Sequence, residues 1–247
     1  MEEELLKKRI GEYKNRVRFV PYPMFTDFLT LSEKTVAASV IGNAVHLFYG
    51  GFEQAERVML GIGSDESELT GNDFPIHAVE IVPKDSRFNE MFTHRDVLGS
   101  VLGLGIDRDV IGDIVISDSR AVLFCESKIS NFICKELTKV KHSYVNCRIL
   151  SENDDLPQLQ TEESDKTVSS LRIDCVAAAM FGLSRSSAAE QVQLGKVFIN
   201  GKEILSASKT VSEGDVVSFR GIGKAKLQRI GGTTKKGRIV ITIEKYQ

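Results

Sequence analysis

Between residues 76 and 150 the apolar positions switch between the alternating pattern of strands and the wider spacing of helices in a fixed order. Residues 76–82 read as a strand. Val97, Leu98, Val101, Leu102 and Leu104 mark one face of a helix over 95–104, with Thr93 as its cap. Residues 113–117 and 121–125 read as strands joined by a turn at Asp118-Ser119. Ile129, Phe132, Ile133 and Leu137 then set a second helical stripe over 128–137, and a strand over 144–150 closes the segment. The order βαββαβ predicts the split unit of ferredoxin-like folds, which RNA-recognition motifs share. Those motifs stack bases on aromatics of their first and third strands, where this sequence offers Phe124 alone.

Residues 3–17 and 33–41 read as helices, the second capped by Ser32, and 45–49 and 58–62 as strands around Gly50-Gly51. These predict a small α+β unit at the N-terminus. Beyond residue 168, Ile173, Val176, Ala177 and Met180 build an amphipathic helix that stops at Gly182. Ser184 caps a second helix over 185–194, which ends at Gly195. Val197 and Ile199 alternate into the hairpin signal Asn200-Gly201, and strands over 216–220, 226–230 and 239–243 complete a helix pair on a small sheet.

The fold class expected is therefore α+β: an N-terminal α+β domain over 1–74, a ferredoxin-like, RRM-like domain over 75–150, and a helix-pair-on-sheet domain over 168–247. Residues 151–167 carry six carboxylates and one lysine with few large apolar residues, which predicts a solvated acidic linker.

Composition narrows the class rather than the function. With 42% hydrophobic and 27% charged residues in 247, the chain is neither disordered nor fibrous. No apolar run is long enough to span a bilayer, and the acidic Met1-Glu2-Glu3-Glu4 start is unlike a signal peptide, so a cytoplasmic location is expected. The net charge of -2 hides an asymmetry that changes the picture. Residues 168–247 hold 13 Lys+Arg against 6 Asp+Glu, a net of +7, whereas residues 1–167 hold 19 against 28, a net of -9. A basic C-terminal third is an electrostatic footprint for nucleic acid.

Cys125, Cys134, Cys147 and Cys175 form no Cys-x-x-Cys pair, and His46, His77, His94 and His142 are equally dispersed, so no metal is expected. No cofactor is expected either. Gly99, Gly103 and Gly105 lack the spacing of a dinucleotide-binding turn, and His94-Arg95-Asp96 reads as a helix start with Asp96 at its favourable end. The segment Gly231-Gly-Thr-Thr-Lys-Lys-Gly237 reads as a flexible basic loop.

Arg172-Ile-Asp174, Leu183-Ser-Arg-Ser-Ser187, Gln193-Leu-Gly-Lys-Val-Phe-Ile-Asn-Gly-Lys202 and Val211-Ser-Glu-Gly-Asp215 resemble the S4 RNA-binding domain in order and spacing. The longer chain resembles YlmH-type S4 proteins, a family linked to bacterial division gene clusters. Its marks here are Phe25-Thr-Asp-Phe-Leu-Thr30, Gly50-Gly-Phe-Glu-Gln-Ala-Glu-Arg57, Thr93-His-Arg-Asp-Val-Leu-Gly99 and Leu104-Gly-Ile-Asp-Arg-Asp-Val-Ile-Gly-Asp113. The resemblance implies a non-catalytic protein that binds structured RNA, with large-ribosomal-subunit rRNA or a subunit-bound peptidyl-tRNA as target during ribosome-associated quality control.

The residues expected to meet RNA are Arg172, Ser184, Arg185, Ser186, Lys196, Lys202, Arg220, Lys224 and Lys226. Arg185 would sit in the first turn of a helix, where free backbone N–H groups also favour phosphate, and the lysines would add donors nearby. Asp174 is expected to orient a neighbouring arginine. Two other readings stay open: an RNA-modifying enzyme of pseudouridine-synthase type, since such enzymes also carry S4 domains, and an adaptor that contacts cell-division proteins through the acidic N-terminal part.

Overall fold

In the computed structural model, which describes residues 2–64, 69–85, 92–117, 120–151, 154–156 and 161–246, the chain opens on helix α1 (Glu2–Arg16). Strand β1 (Met24–Phe25), helix α2 (Leu31–Ile41) and strands β2 (His46–Tyr49) and β3 (Met59–Ile62) follow, and the strands pair in the order β1–β3–β2. Ile10 and Val17 around α1, Ala37 and Ile41 of α2, and Leu60 and Ile62 of β3 bury one small core. The cap of α2 is Thr30 rather than Ser32. Glu33 lies three residues after Thr30, so its carboxylate accepts from the Thr30 N–H at 2.7 Å while the Glu33 N–H donates to Thr30 Oγ1 at 3.3 Å. Ser32 has no acid at that spacing.

The central segment runs β4 (Ile76–Pro83), α3 (His94–Leu102), β5 (Ile111–Ser117), β6 (Arg120–Glu126), α4 (Ser127–Glu136), the short β7 (Lys139–Val140) and β8 (Ser143–Ile149). Its antiparallel sheet has the order β5–β6–β4–β8–β7, the ferredoxin-like arrangement with one short strand added at the edge. The expected turn at Asp118-Ser119 lies outside the described residues. Val97 and Val101 of α3 and Ile133 of α4 pack on Val79, Ile81 and Leu123 of the sheet.

The opposite face of that sheet is covered by the N-terminal segment. The Phe52 ring stacks on Phe124 with centroids 4.8 Å apart, leaving Phe124 1% exposed. Gly51 lies against the same ring at φ +100°, so a side chain there would collide with it, and a Cβ on Gly112 would come within 2.6 Å of the Phe28 ring. Arg57 fastens the arrangement through three carbonyls, donating from Nε to Ile111 O (2.8 Å) and from Nη2 to Phe28 O (3.0 Å) and Arg108 O (3.2 Å). Asp113 accepts from the backbone N–H groups of Glu56 (2.6 Å) and Arg57 (3.3 Å). Residues 1–158 accordingly form one compact unit.

The second unit spans residues 159–247 and holds β9 (Thr161–Val168), α5 (Ile173–Phe181), α6 (Arg185–Gln193), β10 (Val197–Ile199), β11 (Lys202–Glu203), β12 (Val216–Phe219), β13 (Gly223–Thr233) and β14 (Ile239–Tyr246). The antiparallel sheet has the order β11–β10–β12–β13–β14–β9. Val176, Ala177 and Met180 of α5 and Ala188 and Val192 of α6 pack onto Val197, Val217, Leu227 and Ile241 of one sheet face. Asn200 and Gly201 both take positive φ, 50° and 75°, as the hairpin turn requires.

Two expectations are corrected here. Residues 161–167 are not linker: they pair along the whole of β14, from Val168 opposite Ile239 to Thr161 opposite Tyr246. Among these eight only Val168 is buried, so the strand is held by its ladder, by Thr242 Oγ1 donating to Asp165 at 2.7 Å and by its position as an edge, none of which leaves an apolar alternation in the sequence. The basic loop over 231–237 is likewise mostly structured. Strand β13 continues to Thr233, and a tight turn closes with Arg238 N–H donating to Thr234 Oγ1 at 3.1 Å.

Candidate nucleic-acid interface

Arg172 is the N-cap residue of α5 and Ser184 that of α6, and the two helix starts meet at one carboxylate. Asp174 is 3% exposed, yet Arg172 reaches it twice, Nε to Oδ1 at 3.1 Å and Nη2 to Oδ2 at 3.2 Å, and Arg185 donates from Nε to Oδ2 at 2.9 Å. Asp174 Oδ1 also accepts from the Cys175 N–H at 3.0 Å. Burial opposes the Asp174 charge, but the hydrogen bonds from Arg172 and Arg185 outweigh it and hold the carboxyl below the usual aspartate range. The same hydrogen bond raises the Arg185 guanidinium further. Asp174 thus orients two arginines, one from each helix.

Arg185 remains 56% exposed, and among the described residues its Nη groups have no hydrogen-bond partner. Ser184 Oγ accepts from the Ser187 N–H at 3.1 Å and lies 3.0 Å from Ser186 Oγ. The backbone N–H groups of Arg185 and Ser186 are left without a partner among the described residues. A guanidinium fork held from behind by a carboxylate, beside two open N–H groups and exposed serines, can hold a phosphate without reorganising. One of the Arg185 donors, Nε, thus belongs to the fold.

Arg238, which sequence reasoning missed, lines a groove of about 320 Å³ with Arg185, Ser169, Cys175 and Leu183, and its Nη2 donates to Thr167 O at 2.6 Å. Its position one residue beyond the Lys-Lys-Gly turn was the available signal.

The other cations gather on the sheet. Val217, Phe219, Ala225 and Leu227 face the helices, so Phe198, Ser218, Lys224, Lys226 and Tyr246 face away from them. Arg220 lies over the Phe198 ring at 5.3 Å and Lys224 over the Tyr246 ring at 6.0 Å. Lys196 adjoins this group, its carbonyl accepting from the Arg220 N–H at 2.9 Å, while Lys202 is exposed on the edge strand β11. Lys226 stands opposite Glu244 in the ladder. The expected residues therefore separate into a helix-start group of Arg172, Ser184, Arg185 and Ser186 and an open sheet face of Arg220, Lys224 and Lys226, with Lys196 beside it.

In the first unit, Asp96 closes the capping box of α3, accepting from the N–H and hydroxyl of Thr93 at 3.1 and 2.7 Å, and those bonds lower its pKa. Glu80 accepts from Arg120 at 3.0 Å and from Arg148 at 2.7 Å. Phe124, the single stacking candidate, is covered. Burial pushes the Cys125 and Cys147 thiols up to about 12. No helix among the described residues is long and apolar enough to cross a membrane.

The S4 domain family matches residues 171–217, the segment that holds the helix-start group. The family described as the putative RNA-binding domain in YlmH matches residues 70–154, the central ferredoxin-like segment. Over 253 aligned residues, covering 100% of this chain and 94% of the relative, the sequence is 32% identical to the ribosome-associated protein quality control protein P2 of Bacillus subtilis (strain 168). The chain belongs to the YlmH family of S4 proteins. A solved structure, the cell division protein ylmH from Streptococcus pneumoniae, shares the fold with a TM-score of 0.51 at 23% identity, over 63% of this chain and 96% of its own. In YlmH terms, the marks around Gly51, Arg57 and Asp113 join the N-terminal segment to the central sheet, and those at Arg172 and Arg185 build the helix-start site.

Proposed function

We propose that this protein is a non-catalytic, cytoplasmic RNA-binding protein whose second unit holds structured RNA, with large-ribosomal-subunit rRNA or a subunit-bound peptidyl-tRNA as the target on obstructed subunits. The observation that carries this reading is the Arg172–Asp174–Arg185 clamp at the open start of α6, inside the S4 match. The clamp presents a preset cation and two backbone donors to phosphate, whereas the carboxylates Asp96 and Asp174 are both engaged in holding structure. The quality-control relative from Bacillus subtilis supports the ribosome as the setting.

The test is a crosslinking map of the full-length protein on purified ribosomal subunits and tRNA, with Arg185→Ala beside wild type. Crosslinks from residues 171–238 to rRNA or tRNA that fall away in the variant are expected. With roughly 4 to 6 phosphates neutralised, log K against log salt should slope between about -3 and -5. Crosslinks confined to proteins, or a flat salt response, would refute the reading.

A further inference from the structure

The first unit carries a net negative part of the sequence, yet its first helix reverses that sign. Between residues 7 and 22 stand Lys7, Lys8, Arg9, Lys14, Arg16 and Arg18 against the single carboxylate Glu12. Three of these cations are used by the fold: Lys7 with Glu4, Arg9 with Asp27 at 2.7 Å, and Lys14 donating to Val40 O at 3.3 Å. Lys8, Arg16 and Arg18 are exposed and have no partner among the described residues. Cations in the last turn of α1 suit its dipole, which accounts for Arg16. It does not account for Arg18, which lies beyond the helix.

Nor does it account for the aromatics. The turn after α1 closes with Phe19 N–H donating to Arg16 O at 3.0 Å, and this leaves Phe19 86% and Tyr22 54% exposed. Both rings are exposed within six residues in sequence of the Arg16 and Arg18 side chains, although Ile10 and Val17 of the same stretch are buried. Phe19 borders a cleft of about 790 Å³ lined also by Lys14, Arg18, Pro21 and the exposed amide of Asn43. That volume is within the roughly 300–1,000 Å³ typical of ligand sites. Neither family match, 70–154 or 171–217, includes this segment.

We propose that the end of α1 and the turn behind it form a second RNA contact, which takes unpaired nucleotides. Phe19 and Tyr22 stack bases, Arg16 and Arg18 hold the flanking phosphates, and Asn43 lies where a base edge would enter the cleft. Charge complementarity and exposed π-faces beside guanidiniums are what single-stranded RNA needs, and duplex RNA would not reach the rings. An anionic membrane is the weaker occupant, because Leu6, Ile10, Tyr13 and Val17 already pack into the core and only Leu5 and the two rings remain exposed to insert. The inference rests on the reading of the protein as RNA-binding and adds a partner for the unit that lacks the S4 domain.

The chain contains no tryptophan, so Phe19→Trp places one reporter in the site. In the full-length protein, titration with a twelve-nucleotide unstructured RNA should quench this tryptophan, and Arg16→Gln/Arg18→Gln in the same background should weaken the titration about tenfold, the scale of one lost stacking or phosphate contact. The same readout in an Arg185→Ala background should persist, which separates this contact from the helix-start site. Phe19→Ala/Tyr22→Ala should weaken the unstructured RNA about tenfold by anisotropy, with its melting temperature unchanged. Binding of the RNA without quenching, or an affinity in both double variants that equals that of the parent protein, overturns the proposal while leaving the S4 reading intact. Quenching by phosphatidylglycerol vesicles but not by RNA overturns it in favour of a membrane contact. Failure of wild type to bind either this RNA or large subunits overturns both readings.

Discussion

Each unit presents a β-sheet with helices on one side, and the two sheets treat their other face in opposite ways. On the central sheet the face is filled: Phe124 lies under Phe52, Gly51 gives way to the ring, and Glu80 is neutralised by two arginines. On the sheet of the second unit the face is open, and its aromatics Phe198 and Tyr246 are matched with Arg220 and Lys224. The difference lies in what covers each face. Where the chain folds back over an aromatic, that aromatic contributes to stability and is lost to ligands. Where cations flank it, it stays wet and available. A ferredoxin-like order by itself therefore says nothing about whether its sheet meets RNA.

The contrast predicts that changes on the filled face act on folding and changes on the open face act on binding. The largest effect belongs to Gly51→Ala. A side chain at φ +100° is strained and would also overlap Phe124, and the two costs together make about 3 kcal/mol. Denaturant unfolding should show the first unit destabilised by that amount, and RNA affinity measured on folded protein should stay within about twofold. If stability is unchanged, the N-terminal segment does not cover the central sheet as described.

Asp174→Asn stands next, at the boundary between the two kinds of effect. It removes the charge that two guanidiniums share, which costs about 2 kcal/mol in the second unit. The folded carboxyl titrates below its ordinary value, so its contribution is fully present above the unfolded pKa of about 4 and is lost as pH falls through the lower, folded pKa. Unfolding of wild type and variant should accordingly differ at pH 7 and converge under acid. A constant difference from pH 7 to pH 2 would mean that packing rather than charge sets the cost.

How much of this was legible in sequence follows the same division. Helix starts with capping chemistry, Thr93 and Ser184, and the Asn200-Gly201 turn are local, and local rules find them. Strand β9 is not local: its charged residues are ordered by a ladder to β14 more than seventy residues away in sequence, which the pattern of one segment cannot carry. Arg185 was legible as a helix-start cation, but its bond to Asp174 required knowing that α5 and α6 meet. The cover over Phe124 was hidden for the same reason, because Phe28, Gly51 and Phe52 are marks of the family whose partners lie 50 residues or more downstream.

Arg185→Ala moves further toward binding. Its exposed Nη groups and the neighbouring N–H groups are the proposed phosphate contact, so affinity for large subunits should fall by roughly 1.5 to 3 kcal/mol, about 10- to 150-fold. The fold keeps Arg172 on both oxygens of Asp174, so stability should fall by only about 1 kcal/mol. Lys at this position should rescue part of the charge but not the fork. Loss of stability equal to the loss of affinity would make Arg185 a structural residue alone.

The smallest effect, and the one confined to the open face, is expected for Lys226→Ala. The side chain points away from the core that Ala225 and Leu227 form, so its removal leaves no cavity and breaks no buried hydrogen bond. It stands opposite Glu244, which already draws on part of its field, so it is the weakest of the sheet-face cations. Each phosphate contact contributes one released counterion, and losing it should flatten the slope of log K against log salt by about 0.7 to 0.9 while weakening binding a few-fold at low salt. Lys224→Ala should do the same and also free the Tyr246 ring of its cation, so the two variants differ in what remains on the surface. Equal slopes in wild type and both variants would place RNA on the helix-start group alone, and the open sheet would then be a solvated face whose cations serve its own aromatics.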